Sequence, residues 1–286
     1  MSRIVWLNGD FIPEEKAKVS IFDRGLLFAD SVYEGLGVLD GHLIDFAHHM
    51  ARLRRSLGEL AMAEPMPEAE LRASLYELVR LNDIEEGFVY LQVTRGTHDR
   101  DYLYPDGLTA TVFAFTQPQL YGRADDPARP VRLASTPDLR WARRDIKTTN
   151  LLGQVLAKEA ARRSGADEAL LLDREGYVTE GGAVSFFIVK DRVLYARPLG
   201  QELLPGITRK TMLRVAEELG FGIRDDRYKM DEVYGADEAF ITGSSSYIQP
   251  VTEVDGRRIG TGEIGELTAI LRREYLKAVR ADFPAA

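Results

Sequence analysis

Lys147 stands in the run Arg144-Asp145-Ile146-Lys147-Thr148-Thr149-Asn150, at the end of a loop and just before a strongly helical stretch. Thirty-three residues further on comes Val178-Thr179-Glu180-Gly181-Gly182, which reads as a lone acid in a small-residue turn between two apolar strands. A lysine amine can form an imine with an aldehyde, and a carboxylate can hold a pyridine nitrogen protonated. Together they are the minimum equipment for pyridoxal phosphate chemistry. Taken alone, the two have a plainer explanation as a solvated lysine at a helix start and an ordinary turn acid. The rest of the chain decides between these.

An anion site can be assembled from separate turns. Gly206-Ile207-Thr208 opens a helix, where free backbone N–H groups and the helix dipole favour a phosphate. Thr242-Gly243-Ser244-Ser245-Ser246 follows a strand and offers hydroxyls on a flexible backbone, and Arg52 can add a fixed positive charge. Each is weak by itself, since a Gly-Ile-Thr at a helix start is usually only a cap. The phosphate loop of nucleotide-binding proteins is missing, and Gly35-x-Gly37 lacks the third glycine of a dinucleotide fingerprint, with Asp40 in its place. The four histidines, at 42, 48, 49 and 98, show no metal-ligand spacing, so no metal is expected. No Gly-x-Ser-x-Gly elbow marks a serine nucleophile.

The elements that must position these groups follow from periodicity. Residues 4–12 form a hairpin around Asn8-Gly9, and residues 32–44 another around Asp40-Gly41. Apolar positions Phe46, Met50, Leu53, Leu57 and Leu60 define a helix over 45–60 with Asp45 as its cap, and 67–81 is a second helix starting at a proline. Strands are expected at 88–94, 109–115, 131–135, 168–172, 184–189, 193–196, 238–241 and 249–254. Further helices are expected at 151–164, 208–219 and 263–279. The polar, proline-punctuated stretch 119–130 reads as a linker between a small domain, 1–118, and a larger one, 131–286. Helices and strands mix without strict βαβ alternation, which indicates α+β domains.

Composition narrows the class of protein. With 286 residues, 45% hydrophobic and 29% charged, the chain is of ordinary globular make-up. A net charge of −8 with no basic stripe argues against nucleic acid as a partner. The absence of cysteine excludes disulfides and thiolate catalysis. No apolar run reaches the roughly 18 residues of a membrane span, and the N-terminal stretch lacks a signal-peptide core, so a cytoplasmic protein without membrane contact is expected.

The order of motifs resembles one family, the class IV (fold-type IV) pyridoxal-phosphate aminotransferases. The resemblance runs over nearly the whole chain. It begins with Asp23-Arg24-Gly25-Leu26-Leu27-Phe28-Ala29-Asp30-Ser31-Val32-Tyr33-Glu34 and His49-x-x-Arg52-Leu53, then the lysine segment with Asn150-Leu151-Leu152. It continues through Thr179-Glu180-Gly181, Leu204-Pro205-Gly206-Ile207-Thr208-Arg209 and Phe240-Ile241-Thr242-Gly243. Within the family the chain looks most like D-amino-acid aminotransferase, through Gln92-Val93-Thr94-Arg95-Gly96-Thr97, Arg100 and Leu151-Leu152-Gly153.

The resemblance implies a small N-terminal α+β domain and a larger domain with pyridoxal 5'-phosphate in the cleft between them. It implies Lys147 as the imine-forming lysine and Glu180 as the partner of the pyridine nitrogen. Arg52, Ile207, Thr208 and Thr242 would hold the phosphate, Leu204 would pack on the ring, and Tyr33 would stand near lysine and substrate. Arg100 would bind the substrate carboxylate, contributed by the second subunit of a homodimer. Two positions depart from the D-amino-acid pattern: Tyr102 replaces a histidine two residues after the arginine, and Gly182-Ala183 replace serines after Thr-Glu-Gly. Tyrosine keeps a hydroxyl donor there. The expected activity is amino-group transfer between a D-amino acid such as D-alanine or D-glutamate and a 2-oxo acid. The alternatives are a branched-chain L-amino-acid aminotransferase, an aminodeoxychorismate lyase, or a non-catalytic protein that binds the cofactor or another ligand.

Overall fold

The computed structural model describes residues 2–119 and 122–283, so the stretch 119–130 read as a linker lies partly outside the described residues, at 120 and 121. Contacts divide the chain into two units, Met1–Leu120 with Ile146–Asn150, and Tyr121–Asp145 with Leu151–Ala286. The lysine segment follows the linker expected at 119–130, yet by its contacts it belongs to the first unit and not with the rest of 131–286.

In the first unit, β1 (Ile4–Leu7) turns into β2 (Asp10–Pro13) at Asn8 and Gly9, with φ of 50° and 101°. Two central residues at positive φ match the right-handed twist of the strands they join, which is why Asn-Gly and Asp-Gly pairs make such turns. A short helix not anticipated from periodicity, α1 (Arg24–Phe28), is capped by Asp23, whose Oδ1 accepts from the Gly25 amide at 2.8 Å. It leads into β3 (Ser31–Leu39), which turns at Asp40-Gly41 into β4 (His42–Leu43). With β5 (Gly87–Thr94) and β6 (Thr111–Pro118) these form one antiparallel sheet in the order β2-β1-β6-β5-β3-β4.

Helix α2 (Phe46–Glu59) buries Met50, Leu53 and Leu57, and α3 (Glu68–Leu81) buries Leu71, Leu75 and Leu78. Their spacing of three and four residues makes each a single apolar stripe, and each fully buried leucine contributes about 2 kcal/mol of transfer free energy. Asp45 does occupy the N-cap of α2, but in the left-handed region (φ 53°) and without a side-chain capping bond. Its carboxylate lies 3.5 Å from His48 Nδ1 instead.

The second unit is a mixed sheet. Strand β7 (Val131–Pro137) pairs in parallel with β8 (Glu168–Leu172), with α4 (Leu152–Arg163) as the connecting helix. The edge strand β9 (Val178–Gly181) returns antiparallel on β8. Glu180 therefore lies within a strand and not in the turn that its glycine neighbours suggested; the turn is made by the residues after it, where the Gly181 amide donates to Val184 O. Next come β10 (Ser185–Lys190), β11 (Val193–Ala196), α5 (Ile207–Glu218) and β12 (Gly222–Asp225), the last parallel to β11. A short α6 (Met230–Tyr234) precedes β13 (Glu238–Gly243), β14 (Tyr247–Val254), the two-residue β15 (Arg257–Arg258) and α7 (Glu266–Ala281).

The strand path is β12-β11-β10-β13-β14-β7-β8-β9, with β15 on β14. Central strands are buried on both faces, as in β10 and β13, and the core gathers Val131, Leu170, Phe186, Ile188, Ile241 and Tyr228. Among the described residues no helix is long and apolar enough to cross a membrane.

Candidate active site

Lys147 is held by its backbone against the start of β3. The Tyr33 amide donates to Lys147 O at 3.0 Å, the Thr149 amide donates to Ser31 O at 3.3 Å, and Thr148 bridges to Val32. Ser56 Oγ on α2 accepts from the Lys147 amide at 3.3 Å, and the hydroxyls of Ser31 and Thr149 bond to each other. A five-residue loop tied at four points presents its lysine with little freedom. The Lys147 Nζ lies 4.2 Å from the centroid of the Tyr33 ring, close enough for a cation–π contact when the amine is protonated. Tyr33 in turn stacks on Tyr90 at 5.3 Å, and Tyr90 on Phe115 at 4.9 Å, so the ring facing the amine is braced across three strands.

Successive side chains of β3 point to opposite faces, and the one after Tyr33 is Glu34, 0% exposed. Its carboxylate accepts from Arg52 Nε at 2.9 Å and Arg52 Nη2 at 2.8 Å, and lies 2.7 Å from His49 Nδ1. Burial pushes Glu34 upward, but the charge and hydrogen bonds of Arg52, joined by His49, outweigh it and bring the carboxyl from its ordinary 4.5 to about 2. Burial pushes His49 below its ordinary value, against the pull of Glu34. Arg52, expected as a phosphate ligand, is thus fixed by a bidentate ion pair that sets its orientation.

In the second unit, Glu180 is 5% exposed and asymmetrically bound. Its Oε1 accepts from Arg140 Nη1 at 2.5 Å and from the Leu204 amide at 3.2 Å, while Oε2 makes no hydrogen bond among the described residues. Arg140 is itself gripped by Asp138 through Nε at 2.9 Å and Nη2 at 2.8 Å, and Thr179 Oγ1 donates to Asp138 Oδ2 at 2.9 Å. Burial raises the Glu180 carboxyl above its ordinary value despite the opposing charge of Arg140. An incoming cation at the vacant oxygen would offset that burial and favour the anion. Asp138 and Arg140 were not singled out from sequence. The one available signal was a cluster of basic residues, Arg140, Arg143 and Arg144, just ahead of the lysine.

The expected phosphate groups of this unit do come together. Gly206 is the N-cap of α5 and supplies no side chain, so the amides of Ile207 and Thr208 open the helix without a side-chain cap. A β-carbon at Gly206 would lie 2.7 Å from Ser185 Oγ, and Ser185 pairs in register with Thr242 on β13. Thr242 is 2% exposed and its hydroxyl has no hydrogen-bond partner among the described residues; the buried Ser246 hydroxyl has none among them either. Leaving a buried hydroxyl unmatched costs about 1–3 kcal/mol, so a ligand oxygen is the economical explanation.

Arg100 and Tyr102 stand apart on an irregular loop of the first unit. The Arg100 guanidinium lies 5.5 Å from the rings of both Phe28 and Tyr102 and forms no ion pair among the described residues. Tyr102 is 75% exposed.

Residues 31–254 match the model of a family described as amino-transferase class IV. The D-alanine aminotransferase of Bacillus licheniformis is 39% identical over 264 residues, 92% of this chain and 93% of that protein. Among solved structures, the T.th. branched-chain amino acid aminotransferase with pyridoxamine 5'-phosphate superposes with a TM-score of 0.91 at 32% identity, covering 99% of this chain and 96% of its own. The Escherichia coli branched-chain enzyme gives a TM-score of 0.91 at 28% identity, over 99% and 97%. The fold is therefore that of the fold-type IV enzymes, and the chain belongs to the class IV aminotransferases. Enzymes of this class use pyridoxal 5'-phosphate to exchange an amino group between an amino acid and a 2-oxo acid. Within the second unit, the hydroxyls of Thr242 and Ser246, unmatched among the described residues, and the open start of α5 fit the phosphate of such a cofactor, and the spare oxygen of Glu180 fits its ring nitrogen.

Proposed function

We propose that this aminotransferase acts on D-amino acids, with D-alanine and D-glutamate as donors, and that Lys147 and Glu180 carry the chemistry. Bound pyridoxal phosphate supplies an aldehyde that condenses with amines and a protonated ring that accepts an electron pair. Lys147 would hold the aldehyde at rest, and its freed Nζ would move the substrate Cα proton, a general acid–base role. The Glu180 carboxylate would favour a protonated ring nitrogen by opposite charge. Ile207, Thr208, Thr242 and Arg52 would hold the phosphate, Leu204 would pack on the ring, and Tyr33 would orient the lysine.

The observation behind the D-preference is Arg100. It is a guanidinium with no carboxylate of its own among the described residues, lying 5.5 Å from the rings of both Phe28 and Tyr102. Such a group suits bidentate capture of a substrate carboxylate, with the Tyr102 hydroxyl as a further donor. The 39% identity to a D-alanine aminotransferase supports the same reading. The exposed apolar residues Ile21, Leu26 and Leu103 in the same unit support a homodimer in which the partner supplies this loop. The structural neighbours favour a second reading, a branched-chain L-amino-acid aminotransferase. A panel of D- and L-amino acids against 2-oxoglutarate and pyruvate decides. D-alanine or D-glutamate should be the better donors, with Arg100→Ala raising KM steeply. Efficient turnover of L-leucine or L-valine with D-alanine inert would establish the second reading.

A further inference from the structure

Asp23-Arg24-Gly25 is part of the family resemblance, yet the proposed chemistry gives it no task. Arg24 is 3% exposed, unusual for an arginine, and its guanidinium is spent on backbone. Nη1 donates to Asp101 O at 2.7 Å and Leu103 O at 3.4 Å, and Nη2 donates to Tyr102 O at 3.4 Å. Its Nε donates to Asp30 Oδ2 at 2.8 Å, an oxygen that also accepts from Arg95 Nε at 2.8 Å. Arg95 anchors the pair to α2 by donating to Leu60 O at 2.7 Å, and its guanidinium lies 3.8 Å from the Tyr104 ring. Burial pushes the Asp30 carboxyl upward, but hydrogen bonds from Arg95 and Arg24 outweigh it and hold it below the usual carboxylate range. The hub stays ionised at neutral pH.

Little of the loop is buried. Tyr102, Leu103 and Tyr104 are exposed, and beside it lies a cavity of about 620 Å³ lined by Ala61, Met62, Glu64, Arg95, Tyr104 and Leu108. Besides the Arg24 bonds, the tip is held by the ring contact of Tyr102 with Phe28, the stacking of Arg95 on Tyr104 and a turn bond from the Leu103 amide to Asp101. The backbone of α1 is joined to the stem before it, where the Arg24 amide donates to Gly96 O at 2.9 Å. Gly96 (φ 99°) cannot be replaced there, because a β-carbon would sit 1.9 Å from Thr109 O. Stem and tip are thus both bonded to Arg24, and Arg100 stands between them in the sequence.

We infer that Arg24 is a positioning residue for substrate carboxylate recognition: its buried guanidinium clamps the carbonyls of Asp101, Tyr102 and Leu103 and so aims Arg100. The inference rests on the proposed reading of Arg100 as the carboxylate ligand. Three donated bonds to one loop restrict its conformations before substrate arrives, and an unclamped loop would lose that ordering free energy on binding. Lysine at this position could keep the ion pair with Asp30 but would reach one carbonyl at most.

The test uses the full-length holoenzyme with Arg24→Met, Arg24→Lys and Arg100→Ala. Steady-state kinetics with the best donor and acceptor from the substrate panel are read alongside hydrogen exchange of the 98–104 segment. Arg24→Met should raise KM for both carboxylate substrates roughly tenfold or more, leave kcat within about threefold, and speed exchange in the loop. The bound cofactor's absorbance should stay unchanged. Arg24→Lys should fall between Arg24→Met and wild type, and it carries the test alone if the methionine variant does not fold. A normal KM in Arg24→Lys and Arg24→Met, with Arg100→Ala raising it, would overturn the clamp while leaving the carboxylate reading intact. Unchanged KM in Arg100→Ala would overturn the carboxylate reading and the inference with it. Slow exchange of the loop in Arg24→Met would also overturn the clamp, whatever the kinetics.

Discussion

Each unit contains a buried glutamate paired with an arginine, and the two pairs are built differently. Glu34 is saturated by its own chain: both oxygens are taken by Arg52, and His49 adds a third contact. Its partners overcome burial, and the carboxyl is drawn down to about 2. Glu180 is satisfied on one side only. Arg140 and the Leu204 amide share Oε1, Arg140 is divided between two acids, and burial wins, so the carboxyl is raised. With both oxygens taken, Glu34 has none left for a ligand and serves by fixing the arginine beside it. A half-satisfied pair is a cost in the free chain that an incoming cation relieves. Locally inconsistent choices of this kind gather at functional sites.

The largest effect that would sharpen this contrast is on turnover. Glu180→Gln keeps shape and the hydrogen bond from Leu204 but removes the charge, and kcat should fall roughly 10²–10⁴-fold. Because the folded carboxyl is raised, Glu180 contributes stability that is full below its ordinary 4.5 and lost as pH rises through the folded value. Its neutral replacement should therefore unfold at pH 8 at a temperature no lower than the wild type. A wild-type rate in a variant that holds cofactor normally would break the comparison at its centre.

Glu34→Gln should do the reverse and register first in stability. Removing one member of a buried, hydrogen-bonded pair leaves Arg52 uncompensated and costs about 3–5 kcal/mol. The pH signature has the opposite sign to that of Glu180. A carboxyl depressed in the fold contributes stability that is present above its ordinary 4.5 and lost as pH falls toward about 2. Urea denaturation followed from pH 7 to pH 3 should show a steep acid loss in the wild type and a flatter one in the variant. Parallel curves would mean that the Glu34 charge is not what holds Arg52 in place.

How far these pairs could be read from sequence depends on whether their reasons are local. The hairpins at Asn8-Gly9 and Asp40-Gly41, the stripes of α2 and α3 and the start of α5 at Gly206 are each decided within a few residues, and all were legible. Glu180 was legible as a chemical group but misplaced in a turn, because the glycines after it are a turn signal while its strand is set by pairing with β8. Glu34 carries a local signal, an acid inside an apolar strand, that does not name its partner. Its partner lies 18 residues away on a helix, a distance that no periodicity links. Arg140 lies 40 residues from Glu180, and only the folded sheet brings them together. Arg52 was legible as a fixed charge, whereas the acid that fixes it was not.

The smallest effect concerns two threonines of the second unit that look alike in sequence. Thr179 Oγ1 shares its proton between Asp138 Oδ2 at 2.9 Å and Leu171 O at 3.1 Å, whereas the equally buried Thr242 hydroxyl has no partner among the described residues. Replacing each with valine removes only the hydroxyl. Thr179→Val breaks bonds already made within the chain and leaves Asp138 short of a donor, so it should destabilise the cofactor-free protein by about 1 kcal/mol. Thr242→Val has no hydrogen bond among the described residues to lose, so the cofactor-free protein should be as stable as wild type or slightly more so. Its deficit should appear only when cofactor is titrated, as a roughly two- to tenfold weaker affinity for pyridoxal phosphate, the size of one hydrogen bond at about 0.5–1.5 kcal/mol. Thermal unfolding of the cofactor-free variants together with cofactor titration separates the two. If Thr242→Val instead destabilises the free protein and leaves affinity unchanged, its hydroxyl serves the fold as the Thr179 hydroxyl does, and the phosphate role passes to the α5 amides and Arg52 alone.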